Sequence, residues 1–230
     1  MKVGLVHPGE MGAAIGGAVR GHEVIWASEG RSAATRARAG AFRDVGTLDA
    51  LVAQASVIVS VCPPHAALDV ARATRGLDGI YVDANAISPQ HAQEIAQIHP
   101  RFVDGAIIGG PSDPHLYLSG EEAATVAALF ALEPRIVSNA SALKMTFAAW
   151  SKGSAAMLLA IERAAQAYGV WDDLAAEWDD ELAQRLASAH RAAAAKGWRW
   201  IGEMEEIADT FAAVGQPEGF HRAAAEAYRT

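Results

Sequence analysis

Short β-rich runs alternate with helix-forming segments through the first half of the chain, and this alternation constrains the fold more than any other feature. The runs are almost entirely apolar, as in KVGLV at residues 2–6. Strands that alternate with helices form βαβ units and a parallel sheet, and uninterrupted apolar strands are typical of a sheet covered on both faces. We therefore predict an α/β domain. The predicted strands are KVGLV at 2–6, HEVIW at 22–26, SVIVSV at 56–61, GIYVDA at 79–84 and RFVDGAII at 101–108.

The strand pattern stops near residue 140, and the rest of the chain is typical of helices. Residues 141–168 contain no proline and carry apolar side chains at helical spacing, which predicts one long helix. We therefore expect an α/β domain over 1–140 and a small all-α domain over 141–230. The further predicted helices are 172–195, with Trp171-Asp172-Asp173 at its start, 200–214, and a last one from Pro217.

Composition excludes several classes of function. The 230 residues carry a net charge of −8, which argues against a nucleic-acid partner because phosphate binding needs a basic surface. The single cysteine, Cys62, forbids an intrachain disulfide and fits a reducing cytoplasm. The first residues contain neither a signal-peptide pattern nor a membrane span. We expect a cytoplasmic protein with no membrane partner and a small-molecule substrate.

The segment GLVHPGEMGAAIG at residues 4–16 resembles a G-x-G-x-x-G dinucleotide-binding turn with one glycine replaced. His7 stands at the first position, whereas Gly9 and Gly12 keep the positions that approach pyrophosphate and pack helix against strand. We expect Gly9 to take the unusual backbone conformation that the turn needs. An ordinary glycine-rich connection is the alternative. The predicted cofactor contacts at the positive end of the helix are Gly9, Glu10, Met11 and Gly12.

The residues after the second predicted strand bear on the choice between NAD and NADP. An acid at this point holds the free ribose of NAD, whereas arginine and hydroxyl groups accept the extra phosphate of NADP. No acid ends the strand, and Ser28, Arg31 and Ser32 could hold a phosphate, so NADP is favoured. Glu29 would favour NAD if its side chain turned into the site, and Arg31 could instead be a solvated surface charge.

Five stretches together resemble the β-hydroxyacid dehydrogenase superfamily, which includes the 3-hydroxyisobutyrate and 6-phosphogluconate dehydrogenases. The C-terminal region resembles a subgroup whose short helical domain has a poorly defined function. The resemblance implies a Rossmann-type NADP-binding domain followed by a helical domain for dimerisation or substrate binding. The stretches are GEMG at 9–12, SVCPPHAALDV at 60–70, VDANAISP at 82–89, FVDGAIIGGP at 102–111 and ALKMTFAAWSKG at 142–153.

The resemblance also implies roles for individual residues. Lys144 corresponds to the lysine taken as the general acid that protonates the developing alkoxide. Asn85 corresponds to a polar residue near nicotinamide and substrate. The implied cofactor loop is Cys62, Pro63 and Pro64, and the implied substrate segment is Gly109 and Gly110.

Lys144 also fits this role on physical grounds, because Ala148 and Ser151 lie one and two turns further along the predicted helix and leave room for a ligand. An ammonium group in a cleft can supply the proton that hydride transfer to a carbonyl requires. The alternative is a lysine that extends along the surface into solvent.

Three departures from the superfamily leave the substrate open. Ile108 replaces a substrate-facing serine, Ala148 replaces an asparagine, and Ala27-Ser28-Glu29 replaces Asn-Arg-Thr. The predicted activity is NADP-dependent reduction or oxidation of a small carbonyl or hydroxy compound. An imine reductase, a nucleotide-binding protein without turnover and a reductase using reduced deazaflavin are alternatives.

The remaining aromatic and histidine residues suggest a subunit contact but no metal. The helical half is rich in tryptophan for its size, which favours burial against a second copy and predicts a homodimer. The tryptophans are Trp150, Trp171, Trp178, Trp198 and Trp200. The histidines His65, His91, His99 and His115 lack metal-ligand spacing, so no metal site is predicted.

Overall fold

The chain divides into two compact units between Lys144 and Met145 in a computed structural model, which describes residues 1–229. The first unit contains a sheet with helices, and the second consists of helices and short connections. The predicted fold class, an α/β domain followed by a helical domain, is confirmed.

The first unit is built on an eight-stranded sheet in the order β3-β2-β1-β4-β5-β6-β7-β8. Strands β1 to β6 are parallel, β7 is antiparallel to β6, and β8 is parallel to β7. The order 3-2-1-4-5-6 is that of doubly wound dinucleotide-binding folds, with the order reversing between β1 and β4. The strands are β1 (Lys2–Val6), β2 (Glu23–Trp26), β3 (Arg43–Asp44), β4 (Val57–Ser60), β5 (Ile80–Asp83), β6 (Phe102–Gly110), β7 (Asp113–Ser119) and β8 (Arg135–Ile136).

Helices cover both faces of this sheet. Apolar side chains alternate between two clusters, with Val57 and Val59 on one face and Ile58 on the other. This double burial is why the strands are apolar throughout. The helices of the first unit are α1 (Glu10–Gly17), α2 (Ala33–Arg38), α3 (Leu48–Gln54), α4 (Ala67–Ala73), α5 (Pro89–Ile98) and α6 (Ala123–Ala127).

Three strands lie outside the sequence prediction. Strands β3 and β8 have two residues each and contain only exposed residues, so neither has the apolar run that identifies a strand. Strand β7 forms a hairpin with β6. The turn residues Gly110-Pro111-Ser112 between two apolar runs were the signal that could have identified it.

The second unit contains most of α7 (Ala140–Tyr168) and three further helices, α8 (Trp171–Ala176), α9 (Asp180–Ala212) and α10 (Gly219–Ala227). The prediction of helices at 172–195 and 200–214 is wrong, because α9 is continuous over 33 residues. Its N-cap is Asp179, whose carboxylate accepts a hydrogen bond from the Leu182 amide at 2.8 Å.

The second unit has a small core that includes Leu159 and Leu186, together with the buried ion pair Lys152–Glu203. Within the described residues, no helix is both long and apolar enough to cross a membrane.

Candidate functional site

The predicted site residues of the first unit gather at one edge of the sheet. Parallel strands end at the same edge, so the turns after β1, β2, β4 and β5 and the far end of β6 lie together. In doubly wound folds a ligand binds at this edge, where the strand order reverses.

The turn after β1 uses His7 in place of the fingerprint's first glycine. His7 has a φ of 63°, in the left-handed region that favours glycine. Gly9 has a φ of −68°, so the prediction that Gly9 supplies the unusual conformation is wrong. The Gly9 amide donates to the His7 carbonyl at 2.7 Å, which closes the turn around Pro8.

Gly12 and Gly9 serve different purposes in this turn. A Cβ on Gly12 would lie 2.5 Å from the His7 carbonyl oxygen, so only glycine lets α1 approach the end of β1. A Cβ on Gly9 would meet nothing within 4 Å. Helix α1 has no side-chain cap. The first amides of α1 are therefore open to an anion, as pyrophosphate binding requires.

The His7 imidazole is held neutral beside an arginine. Its Nδ1 atom is buried and has no hydrogen-bond partner among the described residues. Burial, with a further contribution from the charge of Arg31, lowers the pKa of His7 to about 4. Burial also lowers the pKa of Arg31. Arg31, in the turn after β2, therefore lies near enough to His7, in the turn after β1, for its charge to lower the pKa of His7.

Two of the three predicted phosphate ligands after β2 are used by the fold itself. Ser28 is buried, and its amide donates to Asp44 Oδ1 at 3.2 Å. Ser32 caps α2, because its Oγ accepts from the Thr35 amide at 3.2 Å. Both serines therefore have a role within the fold, and the phosphate contacts predicted for Ser28, Arg31 and Ser32 stay predictions.

Two charged residues at this turn were missed by sequence reasoning. Asp44, at the end of β3, accepts hydrogen bonds from Ser28 and Gly46, which lower its pKa. The exposed Arg36 donates to the carbonyls of Ser28 at 2.8 Å and Arg31 at 3.3 Å. Arg36 is therefore a second cation beside the strand end, and its place one turn into α2 was the available signal.

Asn85, predicted to contact nicotinamide and substrate, is only 3% exposed. Its Oδ1 accepts from the Cys62 amide at 2.5 Å, and its Nδ2 donates to Asp83 at 2.7 Å and to Ser60 at 3.3 Å. Its side-chain amide is therefore bonded within the protein and holds the loop of Cys62, Pro63 and Pro64 through the Cys62 amide. The contact with nicotinamide and substrate predicted for Asn85 stays a prediction.

Two buried groups beside Asn85 have strongly shifted pKa values. Burial raises the pKa of Asp83 to about 7, against the opposing effect of hydrogen bonds from Asn85. Burial and the charge of Asp83 raise the pKa of Cys62 to about 12. The thiol is neutral and packs in the apolar core, so Cys62 is not a nucleophile.

The end of β6 contains the predicted substrate segment. Gly109 has a φ of 94°, and a Cβ there would lie 2.3 Å from the Asp113 carbonyl oxygen. The hairpin itself therefore requires glycine at this position. Gly110 is exposed, and Ile108 is buried against the sheet instead of presenting a hydroxyl group.

Lys144 contacts the same strand. Its Nζ donates to the Ile107 carbonyl at 2.7 Å, which places the ammonium group next to Ile108 and the two glycines. The beginning of α7 is fastened to β6 by Asp104, which accepts from the Ser141 amide at 2.8 Å. The structure thus brings the predicted acid and the predicted substrate segment together.

The residues described, 1–229, contain no group of three or more His, Cys, Asp or Glu side chains arranged to hold a metal ion.

Sequence comparisons match parts of the chain. A family described as a domain of unknown function, DUF1932, matches residues 165–230. A 28.5 kDa protein of Methanothermus fervidus, encoded in the 7S RNA 5′ region, is 33% identical over 134 residues, which cover 54% of this chain and 53% of that protein. The match therefore spans about half the length of this relative.

Solved structures match the whole chain. The conserved protein MTH1747, described as structurally similar to 3-hydroxyacid dehydrogenases, is 27% identical, with 100% of this chain and 96% of that chain covered and a TM-score of 0.71. The 3-hydroxyisobutyrate dehydrogenase of Salmonella typhimurium is 18% identical, with coverage of 100% and 93% and a TM-score of 0.70. An Aspergillus terreus reductive aminase in complex with NADPH is 16% identical, with coverage of 99% and 92% and a TM-score of 0.59.

Proposed function

We propose that this chain is an NADP-dependent oxidoreductase. It transfers a hydride between nicotinamide and a small carbonyl or hydroxy compound. Its predicted resemblance to the β-hydroxyacid dehydrogenase superfamily is confirmed by its similarity over its whole length to MTH1747, a protein described as structurally similar to 3-hydroxyacid dehydrogenases. The observation that carries the proposal is the uncapped turn from His7 to Gly12. Helix α1 packs closely against the end of β1 at Gly12, and its first amides are uncapped at the edge of the sheet where the strand order reverses.

The residues at this edge fit a phosphorylated dinucleotide. The α1 amides would hold the pyrophosphate. Arg31, whose charge acts on His7, would form an ion pair with the pyrophosphate or with the 2′-phosphate. Arg36 adds a second positive charge after β2, which favours NADP over NAD. Two acidic residues lie near this turn. Glu29 is exposed, and the Asp44 carboxylate accepts hydrogen bonds from the amides of Ser28 and Gly46.

Lys144 would supply the proton in the reduction direction. Bound NADPH supplies the hydride for the carbonyl carbon. The carbonyl oxygen then takes a proton from the Lys144 ammonium, which leaves a hydroxy compound, NADP⁺ and a neutral amine that solvent reprotonates. The hydrogen bond to the Ile107 carbonyl orients the ammonium at the end of β6 before substrate binds.

The cofactor proposal is tested by titrating the protein with NADPH and with NADH while following tryptophan fluorescence. We expect tighter binding of NADPH, and a selective loss of NADPH affinity of about tenfold in Arg31→Ala or Arg36→Ala, equivalent to about 1.4 kcal/mol. Arg38→Ala, on the exposed face of the same helix, is the matched control. Equal losses for both nucleotides would contradict 2′-phosphate recognition, and binding of neither would contradict the proposal.

The proposed reaction is tested by the loss of NADPH absorbance with a panel of small aldehydes, keto acids and cyclic imines. Lys144→Met should reduce kcat by about 10²-fold or more while nucleotide binding persists. Turnover of imines alone would identify the alternative, an imine reductase. This alternative is favoured by Ile108, which is buried and has no hydroxyl group to bind a substrate carboxylate. Nucleotide binding without any turnover would favour the non-catalytic alternative.

The proposed partner is a second copy of the chain. Helix α7 exposes a stripe of large apolar side chains at spacings of three and four residues or their sums, which is typical of a helix that packs against another. A mass of one chain in sedimentation at micromolar concentration would contradict the dimer. Trp150→Glu should shift a dimer toward monomer. The stripe consists of Phe147, Trp150, Met157, Ile161 and Tyr168.

A further inference from the structure

Strand β6 contacts the beginning of α7 at two points. Asp104 accepts hydrogen bonds from Ser141, at 2.8 Å from the amide and 2.5 Å from the hydroxyl. Three residues further along both elements, the Ile107 carbonyl accepts the hydrogen bond of Lys144 at 2.7 Å. The first contact holds the beginning of α7 against β6, where the Lys144 side chain reaches the Ile107 carbonyl.

The Asp104 contact is part of a larger attachment of the helix to the sheet. The Ser119 hydroxyl on β7 donates to Asp104 at 3.0 Å and accepts from the Ala140 amide at 3.0 Å. The first two amides of α7 are therefore bound by two neighbouring strands. A carboxylate at this end of a helix is also favoured by the helix dipole.

This attachment differs from the caps of the other helices. Helices α2 and α3 are capped by the residue just before them, Ser32 and Thr47. Helix α7 also has such a local cap, since Asn139 Oδ1 accepts from the Ala142 amide at 2.7 Å. The local cap satisfies a helix end, whereas Asp104 ties that end to a particular position on β6.

We propose that Asp104 is a positioning residue for Lys144, because it sets the rotation and register of α7 against β6 so that the ammonium group reaches the Ile107 carbonyl. An α-helix turns by about 100° per residue. A helix that slipped by one residue would therefore point Lys144 away from the end of β6. The inference rests on the proposed function only for the role of Lys144 as the proton donor, and not for where its ammonium group lies.

The test follows the amine itself and needs no substrate. The chain has four lysines, Lys2, Lys144, Lys152 and Lys196. Reductive ¹³C-methylation gives each of them an NMR signal whose shift is titrated with pH, and Lys144→Arg assigns the signal. The variants are Asp104→Asn, Ser141→Ala and the conservative Ser141→Thr, with Asp113→Asn at the exposed end of the same hairpin as the control.

We expect the titration midpoint of the Lys144 signal to differ between Asp104→Asn and the wild type by about half a pH unit or more. Ser141→Ala should move it less, and Ser141→Thr should restore it. Lys152, which pairs with Glu203 in the second unit, should keep its signal and so report that the chain remains folded.

An unchanged Lys144 midpoint in folded Asp104→Asn would overturn the inference. If Asp104→Asn does not fold, Ser141→Ala and Ser141→Thr decide the question in the same way. Failure of the proposed function is a separate result. It would appear as full turnover by Lys144→Met, and it does not depend on the Lys144 signal measured in the Asp104 and Ser141 variants.

Discussion

The carboxyl edge of the sheet contains one open turn and several closed ones. After β1 the helix has no side-chain cap, and His7 Nδ1 is buried without a partner among the described residues. After β2 and β4 the polar groups are bound within the protein, Ser28 by Asp44 and the Cys62 amide by Asn85. The turns share residue types that suggest ligand binding, yet the backbone amides at the start of α1 are uncapped, whereas the Ser28 and Cys62 amides are bonded within the protein.

The difference shows that a polar side chain at a strand end is not by itself a ligand. Buried donors and acceptors need partners, and in the closed turns the protein supplies them. In the open turn the uncapped donors are the first amides of α1, and the buried His7 Nδ1 has no partner among the described residues. Four measurements test this contrast.

The largest effect is expected in the closed turns, from the buried carboxyl of Asp83. The unfolded chain releases this proton near its ordinary value of 3.8 and the folded protein at about 7, so the folded state is destabilised as pH rises between these values. Relative to Asp83→Asn, the wild type should lose up to about 4 kcal/mol of unfolding free energy from pH 4 to pH 8. Denaturant titrations at several pH values measure this difference, and a constant difference would contradict the closed, buried site.

The next effect concerns the two glycines of the open turn. Gly12→Val should lower the free energy of unfolding by about 3 kcal/mol and abolish nucleotide binding, because its Cβ meets the His7 carbonyl oxygen. Gly9→Ala should leave stability unchanged and weaken NADPH binding, since its Cβ points into open space. Equal stability of the two variants would show that the turn is not packed as described.

A smaller effect is expected at His7. Its left-handed conformation costs a residue with a Cβ about 1–2 kcal/mol relative to glycine. His7→Gly should therefore be more stable than His7→Ala by about that amount in denaturant unfolding. If the two variants unfold alike, His7 does not take the place of the missing glycine.

The smallest effect is expected at Ser32, whose hydroxyl caps α2. Ser32→Ala should cost about 1 kcal/mol of stability and leave the ratio of NADPH to NADH affinity unchanged. Ser32→Asp, which keeps a capping oxygen, should restore the stability. A selective loss of NADPH affinity in Ser32→Ala would show that this serine contacts the phosphate of NADPH, and it would weaken the contrast between open and closed turns.

Elements were predicted correctly from the sequence where they depend on residues close together in the chain. Strands β1, β4 and β5 were predicted to within one residue at each end, because a strand buried on both faces is a local apolar run. The exposed two-residue strands β3 and β8 carry no such run. The predicted break after residue 195 is absent because α9 continues through Gly197, which is buried against other parts of the second unit.

For the site, the sequence located the edge of the sheet but not the partners of its residues. It pointed to the turn at Gly9 to Gly12 and to Lys144, whose signals lie in short motifs, and the roles of both stay predictions. It could not show that Asn85 faces Cys62, Ser60 and Asp83, since those bonds join residues from two strands and their loops.

The sequence alone determined the class of fold, the long helix α7 and the presence of a glycine turn before a helix, because each depends on residues close together in the chain. Three features could be seen only in the folded chain: the positive φ of His7, the bonds of Ser28 and Ser32 within the fold, and the attachment of α7 to β6 by Asp104. These outcomes depend on which donors meet which acceptors once the strands are side by side, and hydrogen bonds between distant segments leave no periodic pattern in a sequence.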